Sequence, residues 1–236
     1  MTPVLLVHGA WHGAWCWHKL MPALEAAGFA PHALDLPGHG LRAGETQSLA
    51  AYAEAVAERL AAIGEPAILL GHSMGGQVIS AAAELTPERI SSLVYLCAFL
   101  PRTGESIFAN AAGDAQSVLG GYMAPLDDGR LIVKDEGLKP ALYADCAAED
   151  IALARLMLVP QSAEPFQAPV ALTPERFGGV RRAYIVCTGD KAIGPAIQRG
   201  MIERSPVAAQ VDLATSHSPF FSAPDKLAAA IRQVTA

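Results

Sequence analysis

The sequence predicts an α/β protein: a doubly wound, mostly parallel sheet that carries a helical lid insertion. Three observations support this. Short apolar runs alternate with helical patterns through the first hundred residues, and a Gly-x-Ser-x-Gly turn stands between one such run and the helix after it. The strand pattern then lapses for about eighty residues before it resumes.

Residues 4–7 (VLLV), 31–35 (PHALD), 67–70 (AILL) and 93–97 (LVYLC) are short runs bounded by turn residues, as expected of strands buried on both faces. Between them, Leu20, Leu24 and Ala27 share a helical face that ends at Gly28. Leu49, Tyr52, Val56, Leu60 and Ile63 share another that ends at Gly64. Such alternation builds a parallel sheet through right-handed crossovers, with helices on both sides. After Phe99-Leu100-Pro101 the pattern stops, and it resumes only at 183–187 (AYIVC), a longer gap than one crossover needs. Residues 101–179 are therefore expected to form a lid on a core made of 1–100 and 180–236. The gap holds Gly120-Gly121, an Asp127-Asp128-Gly129 turn, an amphipathic helix from about Ala147 to Met157, and prolines at 140, 160, 165 and 169. A strand near 210–213 and a helix with Leu227, Ile231 and Val234 on one face close the chain. Ser222 and Asp225 are expected to cap that helix.

At 236 residues, one core with an insertion is the expected organisation, and 52% hydrophobic against 17% charged residues is incompatible with disorder. Lys and Arg number 17 against 23 Asp and Glu, a net charge of −6 with no block of like charge, so nucleic acid and membrane surfaces are poor partners. Cysteines 16, 97, 146 and 187 form no Cys-x-x-Cys pair and read as buried free thiols in a reducing compartment. The first strand begins at once, without a signal-peptide pattern, and no apolar run approaches the ~20 residues of a membrane span. A cytoplasmic protein is expected, with a homodimer left open.

The strongest chemical signal is Gly71-His72-Ser73-Met74-Gly75. A serine at such a strand-to-helix turn is projected above the sheet, and the flanking glycines remove Cβ atoms that would collide. Its hydroxyl needs a base. On such a sheet the partners follow in the order serine, acid, histidine. Of seven histidines only His217 lies beyond Ser73, in a polar loop after the last strand. Asp190, just past the strand ending at Cys187, is the best-placed acid, with Asp212 the alternative. An oxyanion requires two N–H donors: Met74 follows the nucleophile, and Ala10 lies in the loop after the first strand. His8 and His12 lack the glutamate and the third ligand of a metal site, so no metal or other cofactor is expected. Trp11 could wall a pocket. Phe108, Tyr122, Met123, Leu153, Leu156, Met157 and Phe166 suggest an apolar one with few charges.

With these residues in place the chain resembles an α/β-hydrolase, in the branch of plant methyl esterases, hydroxynitrile lyases and bacterial esterase relatives. The likeness runs over nearly the whole sequence. Its specific parts are residues 8–19 (HGAWHGAWCWHK), 35–40 (DLPGHG), the turn at Ser73 and residues 146–155 (CAAEDIALAR). The resemblance implies a Ser73, Asp190 and His217 triad and an oxyanion loop at Ala10 and Met74. The lyases of this branch carry a threonine where Gly9 stands and a lysine where Ser218 stands, so these two positions at the substrate pocket favour an esterase. The expected function is hydrolysis of small neutral carboxylic esters through an acyl-enzyme on Ser73. The alternatives are a slow small-molecule receptor on the same fold and, disfavoured by Gly9 and Ser218, a lyase.

Overall fold

The computed structural model describes residues 1–236. Its elements run in this order: β1 (Thr2–Val7), α1 (Leu20–Ala26), β2 (Phe29–Ala33), α2 (Leu49–Ile63), β3 (Ala67–His72), α3 (Gly75–Leu85) and β4 (Ile90–Leu96). Then come α4 (Ile107–Ala111), a hairpin of β5 (Met123–Pro125) and β6 (Leu131–Val133), the helical turn α5 (Asp135–Gly137), α6 (Ala148–Met157) and α7 (Glu164–Gln167). The chain closes with β7 (Arg182–Cys187), α8 (Pro195–Arg204), β8 (Ala209–Leu213), α9 (Pro219–Ser222) and α10 (Pro224–Thr235).

Six strands form one sheet in the order β2-β1-β3-β4-β7-β8, every pair parallel. Alternation along each strand separates two apolar layers. Leu5, Val7, Leu69 and Tyr95 pack with Tyr52 and Val56 of α2 and Val78 of α3. Val4, Leu6, Leu70 and Leu96 pack with Leu20 and Leu24 of α1 and Ile231 of α10. The predicted fold class is the one observed. One strand is displaced: β2 begins at Phe29, two residues before the expected run. It is an edge strand paired only with β1, a place where Pro31 is tolerated because one side needs no ladder donor.

The chain leaves β1 toward β2 on one side and returns to β3 on the other, so the carboxyl ends of β1 and β3 flank a crevice at a point where the winding reverses. Three residues other than glycine have positive φ, Trp11 (66°), Ser73 (55°) and Cys97 (34°), and all three follow strands that meet there. Close approach is what the neighbouring glycines permit. A Cβ at Gly71 would lie 2.4 Å from the Gly75 carbonyl oxygen, at Gly75 2.7 Å from that of Val7, and at Gly76 2.4 Å from that of Phe99.

The loop after β1 is braced by buried histidines. His8 Nδ1 donates to the Gly9 carbonyl at 2.8 Å, while its Nε2 accepts the Leu36 N–H at 3.1 Å. His12 Nδ1 donates to the Ala10 carbonyl at 2.8 Å, and its Nε2 accepts the Tyr143 hydroxyl at 2.6 Å. Burial holds both rings neutral, His8 well below the usual histidine range and His12 down to about 4.

Residues between β4 and β7 are pinned to the core by Gln161, which is fully buried. Its Nε2 donates to the Tyr52 hydroxyl at 2.9 Å, and its backbone pairs with Leu131 of the hairpin. The expected Ser222 cap is absent. Phe220 and Phe221 are buried and draw residues 219–222 into their own turn, so α10 starts from Ala223 and the Ser222 hydroxyl has no partner. The four cysteines are free and buried. No helix is long and apolar enough to cross a membrane.

Two outcomes follow for stability. Gly71→Ala should cost about 2 kcal/mol or more or prevent folding, because its Cβ meets backbone. Gly120→Ala, where nothing lies within 4 Å, should change the unfolding free energy from urea titration by no more than about 0.5 kcal/mol. Equal effects would contradict the packing described. The second outcome concerns pH. A histidine held neutral binds fewer protons folded than unfolded, so stability is full above pH 6.5 and is lost as pH falls toward 4, by on the order of 3 kcal/mol from His12. Urea titrations of the wild type and His12→Gln between these pH values should show the shallower slope in the variant, and parallel slopes would be contrary evidence.

Candidate active site

Ser73 sits between β3 and α3 with its backbone bolted to the end of β4. Its N–H donates to the Leu96 carbonyl at 3.3 Å, and its own carbonyl accepts from Gly76 and Phe99, both at 3.1 Å. These bonds hold the left-handed φ, which otherwise costs a serine about 1–2 kcal/mol. The side chain opens into a small cavity shared with Ala10, Trp11, Phe108, Met123 and Phe166. Ala10 and Met74 are both buried beside it in turns, and their N–H groups donate to no other group of the protein. Of the two, Ala10 lines the cavity, and Met74 directly follows Ser73 without lining it.

His217 lies in the loop between β8 and α9, and Asp190 in the loop after β7. The two join through Nδ1 and Oδ2 at 2.7 Å, both side chains almost completely out of water. Asp190 is saturated with donors: its Oδ1 accepts the N–H groups of Ala192 (2.7 Å) and Ile193 (3.0 Å), and its Oδ2 accepts Gln198 Nε2 at 3.3 Å. An imidazole fixed in this way has Nδ1 protonated and presents Nε2 as a base. The alternative acid, Asp212, pairs instead with Arg199 at 2.6 Å on the surface, half exposed.

Three supports were not foreseen. His72 Nε2 donates to the His217 carbonyl at 2.8 Å with the rings 4.5 Å apart. Burial, reinforced by the neighbouring His217, keeps its pKa well below the usual range. Gln198 holds Asp190 from α8. Asp145, which the sequence places in the insertion, accepts the Ser216 N–H at 2.8 Å and also the Ser216 hydroxyl, tethering the residue before His217. None of these carried a local signal, because each is brought in from a distant element. His72, Cys97 and His217 also place three potential metal-ligand atoms within 4.8 Å of one another, with His72 Nε2 bonded to the His217 carbonyl and His217 Nδ1 to Asp190.

The expected pocket residues divide. Trp11 and Phe166 line the cavity at Ser73 and touch one another, ring centroids 5.8 Å apart. Leu156 does not: it is 83% exposed, because the buried face of α6 is Asp150, Ile151 and Ala154, with Asp150 paired to Lys19. Ser218 is fully buried beneath the loop with an unpartnered hydroxyl and lies outside the cavity. Gly9 abuts the nucleophile without lining the cavity. A Cβ there would fall 2.9 Å from both Ser73 Cβ and His72 Nδ1, so this packing has no room for a side chain at position 9.

The arrangement can carry out nucleophilic acyl transfer: a raised hydroxyl, a fixed base, a buried carboxylate and free N–H donors. Known proteins resemble the chain over nearly their full length. The chain is 34% identical over 250 residues to norfluorocurarine synthase 1 of a Strychnos species, covering 98% of this chain and 94% of that one. It is 32% identical over 248 residues to methyl jasmonate esterase 1 of Vitis vinifera, covering 98% and 95%. The crystal structure of a pyrethroid hydrolase from Sphingobium faniae JZ-2 superposes with a TM-score of 0.87 at 30% identity, covering 99% of this chain and 97% of that one. Residues 4–230 match the model of the alpha/beta hydrolase family, and with the sheet order, the turn at Ser73 and these relatives agreeing, the chain belongs to that family.

Proposed function

We propose that the protein is a serine esterase that hydrolyses small neutral carboxylic esters through an acyl-enzyme on Ser73. The observation that carries this is the buried His217–Asp190 hydrogen bond in a fold that also holds Ser73 in a strained turn after β3. Relatives that include an esterase and a hydrolase support the reaction class. In this reading His217 Nε2 takes the Ser73 proton as Oγ attacks the ester carbonyl, and the oxyanion is received by the Ala10 and Met74 N–H groups. Collapse expels the alcohol, which takes the proton from His217. Water, activated by the same ring, then releases the acid. Ten of the eleven residues around the cavity are hydrophobic, which favours an uncharged substrate.

Residues 101–179 act as a lid in this reading, because Met123 and Phe166 from that segment close the cavity over Ser73. The reduced, buried thiols fit a cytoplasmic protein. Lyase chemistry needs a cation for departing cyanide, and Ser218 supplies none.

Ser73→Ala should lower kcat/KM for a methyl ester by about a thousandfold or more without altering the urea midpoint, because the hydroxyl makes bonds and contributes little packing. Retention of more than about a tenth of wild-type activity would refute the covalent route. Asp190→Asn should slow turnover by several orders of magnitude. Asp212→Asn removes only an exposed ion pair and should change the rate by less than about fivefold. The reverse ranking would move the acid to β8.

A further inference from the structure

The cavity that contains Ser73 has a volume of only about 60 Å³. At ~10–15 Å³ per water this is room for about five waters, enough for a short acyl or alkyl group and nothing larger. A second cavity of about 380 Å³ lies under the β5–β6 hairpin, lined by Ile132, Val133, Leu138, Leu158 and Val159 among others. That is within the usual ligand-sized range of roughly 300–1,000 Å³. Trp11 is the one residue common to both. Three other shallow concavities of 360 to 450 Å³ share no lining residue with the Ser73 cavity.

Trp11 is an unusual partition. Its φ of 66° is a left-handed conformation that a bulky aromatic residue rarely adopts, and glycine would fit there without strain. The backbone therefore does not call for tryptophan. The indole is held by a single polar contact, Nε1 donating to the Leu131 carbonyl at 2.8 Å, and by Phe166, which stacks on Phe108 with centroids 5.5 Å apart. That hydrogen bond contributes on the order of 1 kcal/mol, and core packing adds to it, since Trp11 is buried in the same apolar cluster as Phe166. The only charges at the outer cavity, Asp135 and Arg155, pair with each other at its rim, so the interior is apolar and uncharged.

Resting on the esterase reading above, we propose that Trp11 is a size gate and that the outer cavity is a second subsite for an extended apolar group of the ester. The short substituent occupies the slot at Ser73, and the longer one reaches the outer cavity past the indole. For methyl esters the alcohol is the short part, so acyl length reports on the gate.

Hydrolysis of methyl butanoate and methyl decanoate, followed by proton release, tests this in three proteins whose folding is checked by urea midpoint. Trp11→Gly should raise the ratio of kcat/KM for decanoate over butanoate at least tenfold. Leu158→Trp, which fills the outer cavity, should lower that ratio at least fivefold, and it serves alone should Trp11→Gly fail to fold. A ratio within twofold of wild type in either folded variant overturns the gate while leaving the esterase reading intact. If wild type hydrolyses neither ester, the esterase reading itself fails and the gate falls with it.

Discussion

The left-handed turn at Ser73 is the constraint around which the rest of the site is arranged. For the serine to stand above the sheet, α3 must begin almost in contact with the ends of β1 and β4, and only glycine at 71, 75 and 76 permits that approach. The Ser73 N–H and carbonyl then bond to the end of β4, so the strain is borne by the sheet and not by the loop alone. The same approach brings Ala10 and Ser73 to one cavity, and the folding pattern leaves the Ala10 and Met74 N–H groups without partners. Sheet topology, backbone strain and chemistry are thus one geometric fact seen at three scales.

His217, the base in the proposed reaction, is held by opposite means. His217 has no local motif, and its orientation comes from contacts with four other segments: Asp190 at Nδ1, His72 at its carbonyl, and Asp145 acting through Ser216, with Gln198 steadying Asp190. A carboxylate fully out of water would be costly without donors, and Asp190 has four. Buried neutral histidines under the site bring hydrogen bonds to backbone without bringing charge. The fold gives up acid stability in return, since each such ring must take up a proton when the chain unfolds at low pH.

Much of this was legible in the sequence where the signal was local. The elbow at Ser73 carries its own punctuation, and chain order then leaves only His217 as base. Asp190 just past a strand and Asp212 inside the last strand differ in burial, the first fully buried and the second half exposed. What was not legible depended on packing from afar. In α6 the apolar residues are split between two faces, so the pattern alone does not show that Asp150 and Ala154 face inward and Leu156 outward. The Ser222 cap pattern is overridden by the burial of Phe220 and Phe221, which a local sequence pattern does not carry. Asp145 lies in the insertion with no local signal, and its partner Ser216 is 71 residues away.

Relatives carrying the words synthase, esterase and hydrolase show that one scaffold serves more than one named role, so the chemistry must be argued from the site. The most direct test is to look for the covalent intermediate. Rapid acid quench of the protein with excess p-nitrophenyl acetate, followed by intact-mass and peptide analysis, should show one added acetyl group per chain, located on Ser73, during turnover. Turnover with no acylated protein, or an acetyl group on another residue with Ser73 unmodified, would contradict the account.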